Sequence, residues 1–331
     1  MLKYRALLGP VILVLLVGVA ALWSPFAPHG EPVDVRYDEP EPTPEDVVGA
    51  SWEAEDWVAF DEKVRWALDQ RLDTLPLGAA MAAMGQSFVG TAYVAGTLEV
   101  DGPERVVINF RGLDCVTFVE NVYALSQFVR ATGNAYGAKA DVILANRAGV
   151  EDRYETLLGS LRYRDGTPGA YSSRLHYFTD WIADNDRRGR VINVTAGLGG
   201  VLDMEPINFM TTHAGAYRQL VDPALVEEVR SAEERLSAYG RYFVPQDRIA
   251  AVADQIQDGD IIAATSTVGG LDVAHTGLAL WVDGSLRLMH APLVGSVVQI
   301  SEVSLAERVQ GIGGQDGIMV ARPNDTRGGG A

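Results

Sequence analysis

The apolar pattern of this chain changes period part-way along, and that change limits the architecture more than any other feature. Up to about residue 238 the apolar residues recur every three or four positions. Trp57–Leu72 shows Val58, Val64, Trp66 and Leu68 among charges. Ala79–Val89 is small and apolar, and Cys115–Arg130 repeats apolar residues at spacings of three and four. Arg174–Asn185 and Ala224–Ala238 read the same way, and such spacing predicts helices. Arg105–Phe110 is a short strand or extended segment. From Asp260 onward the runs become short and strand-like: Asp260–Thr265, Ala274–Val282, Ser285–His290, Val297–Ile300 and Ile318–Ala321. Asp283-Gly284 between two of them is a two-residue hairpin signal. There is no internal repeat. Helices first and antiparallel strands later is the α+β order, with a helical N-terminal half packed on a short antiparallel sheet.

The ends of the chain differ from this body. Lys3 and Arg5 precede a charge-free run, Leu7–Trp23, so residues 1–27 read as a signal peptide or an N-terminal membrane anchor. Residues 28–56 form an acidic linker with Pro32, Pro40, Pro42 and Pro44, where like charges repel and little can be buried. The folded domain is expected over residues 57–323, and 324–331 as a frayed tail. An exported protein is implied, either periplasmic or anchored to the inner membrane through residues 7–23 and facing the periplasm.

Composition then removes several function classes. With 27 Lys+Arg against 44 Asp+Glu the net charge is −17, which argues against a nucleic-acid partner. A single Cys excludes an intrachain disulfide and every multi-cysteine metal site. In an oxidising compartment that thiol has no structural partner. It is either an inert buried side chain or a reactive one.

Its position favours reaction. Gly112 and Asp114 break the chain just before a helix, and Cys115 falls in the first turn. A helix N-terminus carries partial positive charge and free N–H groups. There it is expected to lower the thiol pKa and to offer an oxyanion site. A thiol nucleophile also needs a base. His275 starts one strand of the Asp283-Gly284 hairpin and His290 ends the other, which makes them neighbours. One ring then takes the thiol proton while the other fixes its tautomer. With only Asp272 nearby, the two His make an incomplete metal shell, and no metal site is expected.

Secondary candidates lie in RLHYFTDW. If that stretch is helical, His176 and Asp180 share a face. Arg174 would then read a substrate carboxylate, with Trp181 alongside. The alternative is a capped helix packing Tyr177, Phe178 and Trp181 into a core. Asn208 and His213 flank a turn into a helix, with Thr211 or Thr212 as N-cap; His213 reads as structural. The charge runs 186–190 and 227–235 read as solvated helix faces.

Three segments, GTAYVAGTLE, GLDCVTFVEN and AHTGLALWVDGSLRLMHA, resemble the NlpC-type branch of the papain-like cysteine peptidases. Tyr93, Asp114–Cys115, His275 with Gly277, and His290 match that pattern, while Ala92 departs from the usual Pro. HYFTDWIADN, INFMTTHAGAYRQL and GIMVARP are similar to one branch, the N-acetylmuramoyl-L-alanine amidase-like proteins. The resemblance spans nearly all of residues 75–322. It implies a papain-like fold and a cofactor-free hydrolase of bacterial cell-wall peptidoglycan or muropeptides. Cys115 would be the nucleophile, His275 the base and His290 the third member. Tyr93 and Asp114 would line the site, Tyr93 and the Cys115 N–H assisting the oxyanion. The bond implied lies between the lactyl group of N-acetylmuramic acid and L-Ala. The rivals are an endopeptidase cutting within the stem peptide, a thiol acyltransferase, and a non-catalytic wall-binding module.

Overall fold

The computed structural model describes residues 52–325. The expected leader, most of the linker and residues 326–331 lie outside the described residues. Among the described residues no helix is long and apolar enough to cross a membrane.

Among the described residues ten α-helices and ten strands follow in chain order. The helices are α1 Ala54–Asp69, α2 Leu77–Gln86, α3 Cys115–Tyr136, α4 Ala140–Leu144 and α5 Arg147–Arg162, then α6 Phe178–Arg187, α7 Phe209–Thr212, α8 Pro223–Tyr239, α9 Ile249–Val252 and α10 Leu305–Gly311. The strands are β1 Ala92–Tyr93, β2 Gly112–Leu113, β3 Val191–Asn193, β4 Val201–Asp203 and β5 Arg241–Pro245, then β6 Ile261–Ser266, β7 Val273–Val282, β8 Ser285–His290, β9 Gln299–Ile300 and β10 Gln315–Pro323. The main sheet runs β4-β5-β10-β6-β7-β8-β9, with β3 also on β10, and every pair in it is antiparallel. β1 and β2 form a separate parallel pair.

The α+β order therefore holds, but the sheet is wider than expected. The closing apolar run becomes β10, a nine-residue strand in mid-sheet between β5 and β6. Asp283-Gly284 turns β7 into β8, with Val282 opposite Ser285. Asp283 accepts a positive φ of 50° at that turn. Arg105–Phe110 forms no strand and pairs with none among the described residues.

α3 is the central post, with 16 of its 22 residues buried. Phe118, Val119, Val122, Leu125 and Phe128 join α1, α2 and one face of the sheet in the main core. The other face of the sheet packs beneath α9 and α10 through Ile262, Leu288, Ile318 and Val309. A helix buried this deeply must satisfy its own polar side chains. Glu120 accepts from Arg162 Nε at 2.7 Å and from Trp181 Nε1 at 3.2 Å. Asn121 accepts from Tyr154 Oη at 2.8 Å and donates to the Thr117 carbonyl.

The folded region is longer at both ends than 57–323. Trp52 packs edge-on against Phe60, and Asp56 is buried, accepting from the Phe110 N–H and the Arg111 guanidinium. Asn324 bonds to the carbonyls of Arg190 and Gly189, and Asp325 pairs with Arg130. Short acidic and polar segments are held here because they meet cations and open backbone groups.

Candidate active site

Asp114 caps α3. Its carboxylate accepts from the Thr117 N–H and hydroxyl, both at 2.8 Å, while its own N–H donates to Thr117 Oγ1 at 2.9 Å. This reciprocal cap makes Cys115 the first residue of the helix. β2 leads directly into the cap, and β1 runs beside it with Tyr93 opposite Leu113. Tyr93 thereby comes beside Cys115 and Asp114; burial above all, and then the nearness of these two acidic groups, raises its phenol pKa.

The histidines come together across the hairpin. The β7–β8 ladder ends at Leu278 opposite Met289. Beyond it, His275 Nε2 and His290 Nδ1 share a hydrogen bond of 2.7 Å, their rings nearly perpendicular at 88°. Only glycine fits at position 277. A Cβ there would stand 2.6 Å from the Met289 carbonyl oxygen and 2.9 Å from His290 Cβ. His290 Nε2 is buried and has no partner among the described residues.

The thiol lies against Thr276, whose N–H is past the end of the ladder and acts on the sulfur. No hydrogen bond joins Cys115 to His275 among the described residues; the structure pairs the two histidines with each other and gives the thiol Thr276 as its neighbour. The expected lowering of the thiol pKa is also corrected. Cys115 is 1% exposed, and burial, with Asp114 adding its negative charge, pushes the thiol up to about 12. Thr276 and the helix N–H oppose this but are outweighed. Burial lowers His275 to about 3, and His290 is lowered by burial and by His275 and Arg308. Burial thus favours the uncharged thiol and uncharged imidazoles over an ion pair.

Beside Cys115 lies a cavity of about 100 Å³. Its wall includes Asp114, Val116, Arg162, Arg174, His176 and Asp272. Arg174 is buried and already paired with Glu99 at 2.8 Å and Glu104 at 3.4 Å, so its charge is largely compensated from within. His176 lies ahead of α6, not within it; its Nε2 meets the Tyr171 carbonyl at 2.8 Å, and burial with nearby Arg174 lowers it to about 3.

The shared face expected of His176 and Asp180 is therefore absent. Asp180 instead takes Arg164 in a two-pronged pair at 2.6 and 3.0 Å. Trp181 is fully buried, stacked on Phe178 and bonded to Glu120, which makes it core and not a substrate contact. Asn208 is exposed outside the cavity and stands at the N-cap of α7 in place of Thr211 or Thr212. His213 stacks on Phe209 and bonds to its carbonyl. The run 227–235 is not wholly solvated: Glu233 is buried and accepts from Tyr177 Oη and the Thr211 N–H.

Arg162 and Thr276 escaped the sequence reading, and Asp272 entered it only as an insufficient metal ligand. Arg162 ends α5 and is 2% exposed; Asp272 precedes β7 and accepts from the N–H groups of Thr179 and Val273; Thr276 backs the thiol. Only Thr276 carried a signal, lying between the two motif residues His275 and Gly277. No group of three or more His, Cys, Asp or Glu among the described residues is placed to hold a metal ion.

Residues 83–315 match the family model described as N-acetylmuramoyl-L-alanine amidase-like. Among solved structures, the chain is similar to an N-acetylmuramoyl-L-alanine amidase from Bacteroides uniformis, at 34% identity and a TM-score of 0.66, over 75% of this chain and 99% of that one. A Bacteroides fragilis protein bearing the name of a xylanase matches at 34% identity and TM-score 0.62, over 72% and 98% of the two chains. A Legionella pneumophila protein shares the fold at 18% identity and TM-score 0.59, over 82% and 96%. No curated protein matches.

Proposed function

The chain belongs to the N-acetylmuramoyl-L-alanine amidase-like family, and on that premise we propose that it is an exported cysteine-dependent cell-wall amidase with a papain-like, NlpC-type site. The substrate is peptidoglycan or its muropeptides. The bond cut joins the lactyl carbonyl of N-acetylmuramic acid to the nitrogen of L-Ala. Residues 1–27 export the chain to the periplasm or anchor it at the inner membrane.

The reading is supported by a capped helix start that opens on Cys115, whose thiol lies against Thr276, the residue next to His275 of the histidine pair. Cys115 opens α3, and His275 Nε2 is engaged by His290, which leaves His275 Nδ1 as the ring atom for the thiol. Because both groups are neutral, attack and proton transfer proceed together: Sγ adds to the lactyl carbonyl as its proton passes to His275. The oxyanion faces the Cys115 N–H and the Tyr93 hydroxyl. His275 then gives the proton to the departing amine, leaving a thioester. Water, losing a proton to His275, hydrolyses the thioester and restores the thiol. The sulfur–imidazole contact forms on substrate binding, when catalytic hydrogen bonds tighten.

Cys115→Ala tests the proposal. Purified muropeptides are treated with each protein and analysed by mass spectrometry. The wild type is expected to release L-Ala-led peptides, and the variant none. Cleavage after the second residue of the stem assigns an endopeptidase instead, and full activity of the variant removes the nucleophile.

One observation favours a second reading, a wall-binding module without turnover: the thiol is buried, which pushes its pKa up, and no hydrogen bond joins it to His275 among the described residues. Wall binding without release of peptide by the intact wild type would select it.

A further inference from the structure

The groups assigned to the chemistry are sealed in. Cys115, His275 and His290 are 1%, 4% and 1% exposed, and the cavity beside the thiol holds only about 100 Å³. No substrate-sized molecule reaches the sulfur in that state, so a segment over the cavity has to move when one enters.

Residues 94–105 have the properties of such a segment. They form neither helix nor strand, and none of them joins the three apolar cores. Leu98 and Glu99 nevertheless line the cavity, together with Asp114 and Val116, the chain neighbours of Cys115. Both ends of the segment are rooted. At one end the Val94 N–H donates to the Leu113 carbonyl at 3.1 Å, directly before the cap of α3. At the other, Tyr163 Oη donates to Glu104 at 2.6 Å and to the Arg105 carbonyl at 2.8 Å.

Between these roots two arginines hold the segment. Arg174, buried in the cavity wall, donates to the Leu98 carbonyl at 3.1 Å, pairs with Glu99 at 2.8 Å and lies 3.4 Å from Glu104. Arg218 donates to the Val100 carbonyl and pairs with Asp101, and this second clasp is exposed to solvent. A segment held by polar links, without core packing, sits at the low-stability end of a fold. An exposed ion pair adds little to it, because water and salt screen the attraction. Gly96 and Gly102 stand near the two ends at φ of 75° and 84°, which glycine adopts without steric cost. Loop positions of this kind absorb the dihedral changes of a closing lid.

We propose that residues 94–105 are a strap over the cavity beside Cys115, with Arg174 as its inner clasp and Arg218–Asp101 as its outer one. Release of the outer clasp swings the strap away and opens the path to the thiol. Arg174 and Arg218 act on access and not on the reacting atoms, and the strap does not depend on which bond the enzyme cuts.

The experiment reads opening directly. Cys115 is the one Cys of the chain, so its alkylation reports on this site alone. The full chain is treated with iodoacetamide at pH 9, and the rate of adduct formation is followed by intact mass. Arg218→Asp and Asp101→Arg each replace the exposed pair by like charges, and each should speed alkylation about fivefold. The chain carrying both substitutions restores opposite charges and should return to within about twofold of the wild-type rate. Urea midpoints of the four proteins should coincide. Equal rates in all four proteins, a double variant at least as fast as either single one, or a rise matched by a lower urea midpoint overturns the strap.

Discussion

His275 Nε2 lies 2.7 Å from His290 Nδ1, just where β7 and β8 cease to pair. One ring thus fixes which nitrogen of the other is free, and the fixed nitrogen is the one away from the sulfur in the proposed mechanism. His290→Ala is expected to leave the fold intact but lower kcat by roughly 10²–10⁴-fold, the range for a positioned acid–base group. His290→Asn retains a hydrogen-bonding side chain and should recover part of that loss. Steady-state kinetics on muropeptides check both, and an unchanged kcat in His290→Ala would remove the residue from the machinery.

The burial of His275 has a consequence for stability. Its pKa is lowered from 6.5 to about 3, so the native state resists protonation more than the unfolded chain does. A lowered basic group contributes stability that is complete above the unfolded value and is lost as pH falls toward the folded one. Wild type should therefore lose stability between about pH 6.5 and pH 3 more steeply than His275→Gln, and the difference between their urea midpoints should shrink or reverse across that window. Parallel curves for the two proteins would show that the imidazole is not held neutral by the fold.

The thiol titrates in the opposite direction. Its pKa is raised to about 12, which favours the protonated native form. Iodoacetamide should alkylate Cys115 slowly at pH 7 and faster as pH rises past 9, with no plateau below pH 10. Bound substrate analogue, by drawing His275 to the sulfur, should shift the rise to lower pH. A plateau near neutrality in the free protein would mean that a thiolate–imidazolium pair is already present, contrary to the resting state described above.

The outline of this site was legible because it rests on local signals. Asp114–Cys115 at a helix start, Asp283-Gly284 between two strands and Gly277 two residues after His275 each act within a few residues, and each has a steric or hydrogen-bonding cause. What the sequence hid was long-range. α5 carries Val150, Tyr154, Leu158 and Leu161 on one buried face, a helical spacing that was present but unread among its charges. β3, β4 and β5 are short, and only pairing with β10 and with each other makes them strands. The thiol pKa was misjudged for a related reason. The helix N-terminus acts locally and is visible in sequence, whereas desolvation depends on everything packed over the sulfur and outweighs it. Arg174, Asp180 and Trp181 were placed in a binding face because their partners, Glu99, Arg164 and Glu120, lie 16 to 75 residues away.

Arg162 and Glu120 form a pair that sequence distance conceals and that joins α5 to α3 under the catalytic cavity. Both side chains are 2% exposed, with Nε and Oε2 2.7 Å apart, and Arg162 Nη1 also reaches the Val107 carbonyl. Removing one partner of a buried pair leaves the other charge without compensation, at a cost of about 3–5 kcal/mol. Arg162→Met should therefore destabilise by that order and strand Glu120, whose pKa burial already raises. Glu120→Gln in the same chain removes the stranded charge while keeping an acceptor for Trp181 Nε1, and should restore a good part of the loss. Chemical denaturation of the two single variants and the double variant measures the coupling. Additive costs would mean that the two side chains stabilise the fold independently and that the pair itself does not hold α5 against α3.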